Sequence, residues 1–226
     1  MLERLDPAVS SPTALREYYD ARHAPRMVRE SDRFYRWVLD EAGLAEGSNR
    51  TLLDIGCGGG YLLREAYGRG FGVTGCDISI VAVKTARSIA GPVVVGADAE
   101  RLPFPDSAFD VVANIGNLEH FLNMPAGARE MARVAKPDGT VLVLVPNSMY
   151  SGDIWRFITR GELPTHNQAV ERFASEKEWR RLLEGEGLSI GKVTRYDKFK
   201  AWKKIFPRRY AYCFLFICSR PNDGRK

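Results

Sequence analysis

The chain has 226 residues, of which 45% are hydrophobic and 27% charged, and a formal net charge of +5. That length and balance suit one soluble α/β domain with additions and argue against a disordered, fibrous or disulfide-stapled chain. Arg and Glu interrupt the opening residues, so no signal-peptide layout is expected. The longest apolar run, Tyr210 to Cys218, is too short to cross a bilayer as a helix.

The charge is unevenly placed. From Lys192 onward, 11 Lys or Arg stand against Asp197 and Asp223, a local balance of +9, so the preceding 191 residues carry −4. Such a basic C-terminal face suits anionic company: a membrane surface, a nucleic acid or a phosphorylated substrate. Cys57, Cys76, Cys213 and Cys218 have no metal-ligand or redox spacing. They read as reduced packing residues of a cytoplasmic protein.

Ser11-Pro12 is an N-cap and first helical position, and opens a helix with Leu15 and Tyr18/Tyr19 on one side. A second helix carries Met27, Phe34, Trp37 and Val38 and stops near Gly43. Because both precede the first predicted strand, they are expected to cover a sheet edge or lid a site. His23 falls in this helical region and reads as a surface residue.

Leu52-Leu53-Asp54-Ile55 is the end of a buried strand. It runs into Gly56-Cys57-Gly58-Gly59-Gly60, and then into a helix with Leu62, Leu63, Ala66 and Tyr67 on its apolar side. Gly56, Gly58 and Gly60 let the backbone approach a ligand closely, and the following helix start offers free N–H groups. A dinucleotide fingerprint beginning at Gly56 would need glycine at position 61, which is Tyr61. The pattern here is D-x-G-x-G-x-G, led by Asp54.

Phe71 to Asp77 is a second strand ending in an acid 21 residues beyond Gly56. At that separation a carboxylate meets an adenosine ribose, and it can also cap the helix starting at Ser79. That helix (Ile80, Val83, Ala86, Ala90) ends at Gly91-Pro92. A third strand follows at Val93 to Val95, leaving through Gly96-Ala97-Asp98-Ala99, and a fourth at Phe109 to Ile115. Pro125 opens a further helix before an apolar strand from Thr140 to Val145. This alternation predicts a parallel, doubly wound sheet. Ligands of such sheets bind outside the strand C-termini, which is where Asn114 and the turn through Glu119 and His120 lie.

Asn147 to Ala174 breaks the alternation with mixed aromatic and polar residues, including Thr165-His166-Asn167. Ser175 and Glu178 form a capping-box pair opening a helix with Trp179, Leu182 and Leu183. Two last strands follow, Leu188 to Tyr196 and Tyr210 to Ser219. The link between them interleaves Phe199, Trp202, Ile205 and Phe206 with six cations from Lys198 to Arg209. That spacing suits a short amphipathic turn at an anionic bilayer interface. The chain is read as one domain: a helical cap over 1–50, a cofactor core over 51–147, a substrate insertion over 148–174, and a C-terminal helix and strands over 175–226.

Residues from about Thr51 to Asn147 resemble the class I S-adenosylmethionine (SAM) methyltransferases, whose motif I matches the loop led by Asp54. The resemblance implies a Rossmann-like, seven-stranded, mostly parallel sheet with an insertion after strand five, and SAM as cofactor. It places Asp54, Gly56, Cys57 and Gly58 beside the methionine portion of SAM, Asp77 and Ile78 at the ribose, and Asp98 and Ala99 at the adenine. Asn114 then lies near the reacting methyl, with Tyr18 (or Tyr19) closing over the cofactor. Leu118-Glu119-His120 and Gly161 to His166 look like the ubiquinone-biosynthesis O-methyltransferases, which act at membranes. Some of those carry a metal-holding Glu where this chain has Gly116, so no metal is expected. The likeness implies O-methylation of a small, lipidic or phosphorylated intermediate, with His166 as base and Glu119 and His120 in support. Three alternatives stay open: an RNA or protein acceptor, a nucleotide-binding oxidoreductase, and a SAM-binding protein without catalysis. A nucleic-acid partner is disfavoured, because no RNA-binding module is recognisable.

Overall fold

The computed structural model describes residues 1–24, 29–90, 93–197 and 207–221. The chain begins with strand β1 (Leu2–Leu5), then helices α1 (Pro12–His23) and α2 (Asp32–Glu41). Ser11 and Ser31 cap these helices, each side chain accepting the N–H three residues on. The core follows as β2 (Thr51–Ile55), α3 (Tyr61–Gly68), β3 (Gly72–Asp77), α4 (Ile80–Ala90), β4 (Val94–Gly96), β5 (Phe109–Ile115), α5 (Met124–Val134) and β6 (Ala135–Pro146). A 3-10 turn, Leu118–His120, separates β5 from α5. The chain then forms α6 (Ser151–Arg160), β7 (Val170–Phe173), α7 (Glu176–Gly185), β8 (Ser189–Tyr196) and β9 (Cys213–Ser219).

Seven strands form one sheet in the order β4-β3-β2-β5-β6-β9-β8. The pairings from β4 to β6 are parallel, while β9 inserts antiparallel between β6 and β8. This is the expected doubly wound, mostly parallel sheet. Strand periodicity splits its apolar residues between two layers. Leu53, Ile55, Val112, Val141 and Val143 pack with α5 and α7 on one face. Leu52, Val111, Ala113, Leu142 and Leu144 pack with α2, α3 and α4 on the other. The strand order reverses between β2 and β5, so a crevice opens at their C-terminal ends.

Three elements depart from the sequence reading. β1 pairs antiparallel with β7 in a separate two-stranded sheet, neither strand having been assigned from the sequence. β1 is exposed along its whole length and carries no burial pattern to announce it. The insertion also holds α6, none of whose residues is buried. Tyr67, assigned to the apolar side of α3, is 68% exposed. Met27, the Gly91-Pro92 helix end and most of the basic aromatic link (198–206) lie outside the described residues.

Candidate active site

The crevice divides into two compartments that share Gly56, Asn117 and His120. The first is lined by Tyr19, His23, Asp77, Ile78, Asp98, Ala99 and Phe121. The second runs along Asp54, Cys57 and Gly58 to Glu119, His166 and Gln168, with Tyr35, Tyr61, Tyr196 and Tyr212 among its walls.

The glycine loop between them is a left-handed turn, with φ of +71° at Gly56 and +51° at Gly58. A Cβ on Gly56 would strike the Asn117 side chain at 2.6 Å, whereas one on Gly58 would meet nothing within 4 Å. The loop therefore seals against one wall and leaves open space on its other side. Asp77 holds this turn to the start of α4: its carboxylate accepts the Gly58 N–H and the Ser79 N–H, each at 2.9 Å. Asp77 thus caps the start of α4, as expected, and also lines the first compartment. Burial pushes its carboxyl up, against the pull of those two N–H groups. Burial, and then the charge of Asp77, holds the Asp54 carboxyl well above its ordinary range. Burial likewise raises the Cys57 thiol, and all four cysteines are free and buried.

α1 roofs the first compartment. Its Asp20 carboxylate accepts the Ser79 hydroxyl at 2.7 Å and the Val81 N–H at 3.1 Å, capping α4 from another element. Tyr19 donates its hydroxyl to Gln168 Oε1 at 2.9 Å, whereas Tyr18 reaches out to the Asn167 carbonyl. The cavity face of α1 thus belongs to Tyr19 and His23, and Tyr18 lines a separate surface depression. His23, read from sequence as a surface residue, faces the compartment.

Asn114 is fully buried and lines neither compartment. Its amide donates to the Ile55 carbonyl and its Oδ1 accepts the Leu118 N–H, tying the 3-10 turn to the sheet. Asn117 takes the cavity position instead, donating to the Gly56 carbonyl at 3.0 Å. His120 is locked. Its Nδ1–H donates to the Val170 carbonyl at 2.5 Å, and its Nε2 accepts the Gln168 amide at 2.8 Å. Burial pulls its pKa down to about 4, so the ring is neutral. Glu119 lies 3.8 Å from His120 Nε2, and burial raises its carboxyl to about 8. Two buried side-chain polar atoms lack a partner among the described residues, Glu119 Oε2 and His23 Nδ1. Each belongs to a residue lining one compartment.

His166 sits on the insertion, its ring 5.0 Å from Phe173 and its Nε2 3.5 Å from the Tyr212 hydroxyl. The buried Glu171 carboxylate organises this loop, accepting from Thr165 Oγ1, the His166 N–H and the Gln168 N–H. No group of three metal-ligating side chains comes together among the described residues.

The methyltransferase domain family model matches residues 53–143. That stretch spans the glycine loop, Asp77, Asp98 and the turn carrying Glu119 and His120. Residues 53–143 thus match a methyltransferase domain. Over 157 residues the chain is 35% identical to the 2-methyl-6-phytyl-1,4-hydroquinone methyltransferase of Synechocystis sp., covering 65% of this chain and 49% of that protein. Over 144 residues it is 33% identical to the demethylmenaquinone methyltransferase of Mycolicibacterium vanbaalenii, covering 62% and 61%. The chain thus spans about half to three-fifths of these relatives. A similar solved fold is found in the complex of the Haloferax volcanii Trm112 methyltransferase activator with a methyltransferase (TM-score 0.67, 22% identity, 94% of this chain and 100% of that one).

The methyltransferase domain implies SAM as cofactor, and the residues present fit it. Gly58 leaves open space that a Cβ would enter, and Asp77, Ile78, Asp98 and Ala99 all line the first compartment. His23 lines it too, with a buried ring nitrogen that has no partner among the described residues. Of the two tyrosines the sequence offers, Tyr19 rather than Tyr18 lines the first compartment. The sequence reading did not single out His23, Asn117, Gln168 or Tyr212 as lining residues, because no local pattern distinguishes them.

Proposed function

We propose that this chain is a SAM-dependent methyltransferase acting on the hydroxyl group of a small aromatic acceptor. The observation that carries the reading is the second compartment. It is walled by tyrosines, meets the glycine loop, and is lined by His166, whose Nε2 lies 3.5 Å from the Tyr212 hydroxyl. Flat apolar rings suit such walls, and Glu119, His166 and Gln168 supply polar groups that suit orientation. The relatives are named for 2-methyl-6-phytyl-1,4-hydroquinone and demethylmenaquinone, which are flat ring compounds.

Bound SAM supplies an electrophilic methyl group. In this chain Asp77, Ile78, Asp98 and Ala99 hold the nucleoside, while Asp54, Gly56, Cys57 and Gly58 hold the methionine side. Alignment of the acceptor oxygen accounts for much of the acceleration. His166 takes the hydroxyl proton on its imidazole as the oxygen attacks. His120 serves by position: both ring nitrogens are engaged, so it fixes Gln168 and the wall beside Glu119. Association with an anionic membrane surface fits a lipidic acceptor. α6 supports it by exposing Trp155 and Ile158 (68% and 71%) beside Arg156 and Arg160. No described helix is long and apolar enough to cross a membrane.

The test is transfer from SAM carrying a 13C-methyl group to a panel of phenols and hydroquinones. The methyl carbon shift of the product separates attachment to oxygen from attachment to carbon. We expect an O-methyl product, and His166→Gln should lower kcat about 100-fold or more with SAM affinity unchanged. Turnover with no acceptor in the panel, or a carbon-attached methyl, would overturn the reading.

A further inference from the structure

We propose that His23, on the roof helix α1, is a cofactor-binding residue that hydrogen-bonds the ribose of the bound nucleoside through Nδ1, opposite Asp77. The inference rests on the SAM reading above and extends it to an element outside residues 53–143, the stretch the domain family matches.

Three independent placements lead to it. The first is the anchoring of α1. Asp20 caps α4 through Ser79 and Val81, two and four residues beyond Asp77. His23 is three residues on from Asp20 along α1, so it lies on the same helix face and is carried toward Asp77. The second is its ring environment. The imidazole lies nearly parallel to the Tyr19 ring, 5.8 Å between centroids and 20° between planes, and Tyr19 is itself pinned to Gln168. The ring therefore has little freedom to turn away. The third is the vacancy at Nδ1: the atom is buried, has no hydrogen-bond partner, and belongs to a residue lining the same compartment as Asp77, Ile78 and Asp98. A buried polar atom left unpaired costs free energy, which a ligand recovers.

The ribose satisfies this vacancy. Each Asp77 oxygen already accepts one backbone N–H and keeps a lone pair for a ribose hydroxyl. A hydroxyl that donates to Asp77 retains its own acceptor lone pairs, and an Nδ1–H fills one of them. Burial favours the neutral ring, against the attraction of Asp77 and Asp20 and with the repulsion of Arg22.

The test measures the affinity of S-adenosylhomocysteine (SAH) and of its 2′,3′-dideoxy analogue for the full chain and for three variants. His23→Phe keeps a ring against Tyr19 without Nδ1, His23→Ala removes the ring, and His23→Asn puts an amide near the Nδ1 position. We expect Phe and Ala each to weaken SAH binding about 5-fold to 10-fold, the worth of one hydrogen bond. Asn should recover most of that loss, and all four proteins should bind the dideoxy analogue alike. Variant melting curves without ligand identify any that fail to fold, and Phe and Asn keep the comparison open if Ala does. Unchanged SAH binding in Phe and Ala, or an equal loss for both ligands, would overturn the proposal while leaving the cofactor reading intact. Absence of SAH binding by the unmodified chain would overturn both.

Discussion

A carboxyl group pressed into an apolar wall with one oxygen unpaired keeps its proton, and Glu119 is that group here. Its pKa of about 8 stands above the ordinary 4.5, because burial penalises the charged form. The folded state therefore binds a proton between these values that the unfolded state has released. Its contribution to stability falls as pH rises through that window and levels off above about 8. Glu119→Gln removes the titration. Melting curves should show the variant near wild type at pH 5 and more stable than wild type at pH 8; a parallel pH dependence for both would refute this. Asp77 carries a different load, since it joins the glycine loop to α4 as well as facing the cavity. Asp77→Ala should weaken SAH binding by about 1.5–3 kcal/mol, the usual worth of hydrogen bonds to a charged group. Titration calorimetry checks it, and unchanged affinity in a folded variant would reduce Asp77 to a loop anchor. Asp77 was legible in the sequence because strand, acid and glycine loop stand at a fixed separation. His23 was not, because one histidine on a mostly polar helix has no pattern to mark which way it points.

Among the elements, α1 and α7 show two ways of ending a helix. α7 is capped within its own segment: the Ser175 side chain accepts the Glu178 N–H, and Glu178 reaches back to the Ser175 N–H. This was predictable from four consecutive residues. Ser175→Ala should cost about 1 kcal/mol, or roughly 2–4 °C in Tm for a chain of this size. α4 is capped in part from outside, by Asp20 on α1. Asp20→Ala should cost about 1 kcal/mol as a lost cap and also loosen α1 from the crevice. Limited proteolysis should then cut near α1 faster, and added SAH should restore protection. Equal cleavage rates in variant and wild type would show that Asp20 does not hold the roof. β1 escaped the sequence reading because a strand exposed along its length generates no burial period. α6 does carry a helical signal, Ile154, Phe157 and Ile158 at i, i+3 and i+4, although none of its residues is buried.

For the whole molecule, the reversal of strand order between β2 and β5 opens the crevice, and α1, the glycine loop and the β5 turn all line its first compartment. A ligand that binds the native state alone at about 100 times its dissociation constant adds roughly 2.7 kcal/mol. SAM or SAH should accordingly raise Tm by about 5–10 °C in a thermal melt, and NADH should leave it unchanged. A shift with NADH and none with SAM would overturn the cofactor. By itself the sequence determined the sheet strands, the helices between them and the glycine loop. Those features follow from local rules: apolar residues recur with the backbone period, and left-handed turns favour glycine. Tertiary structure decided the rest. Whether Tyr18 or Tyr19 faces the cavity depends on the rotation of α1, which Asp20 sets by binding Ser79, 59 residues away. Which residue of the β5 turn lines the site depends on Asn114 being consumed by Ile55 and Leu118, leaving Asn117 to face the loop. The insertion meets the core through Gln168, which binds Tyr19 from one side and His120 from the other. Contacts between segments that distant leave no local period in the chain, because the side chains that make them are chosen by where the whole sheet delivers their backbones.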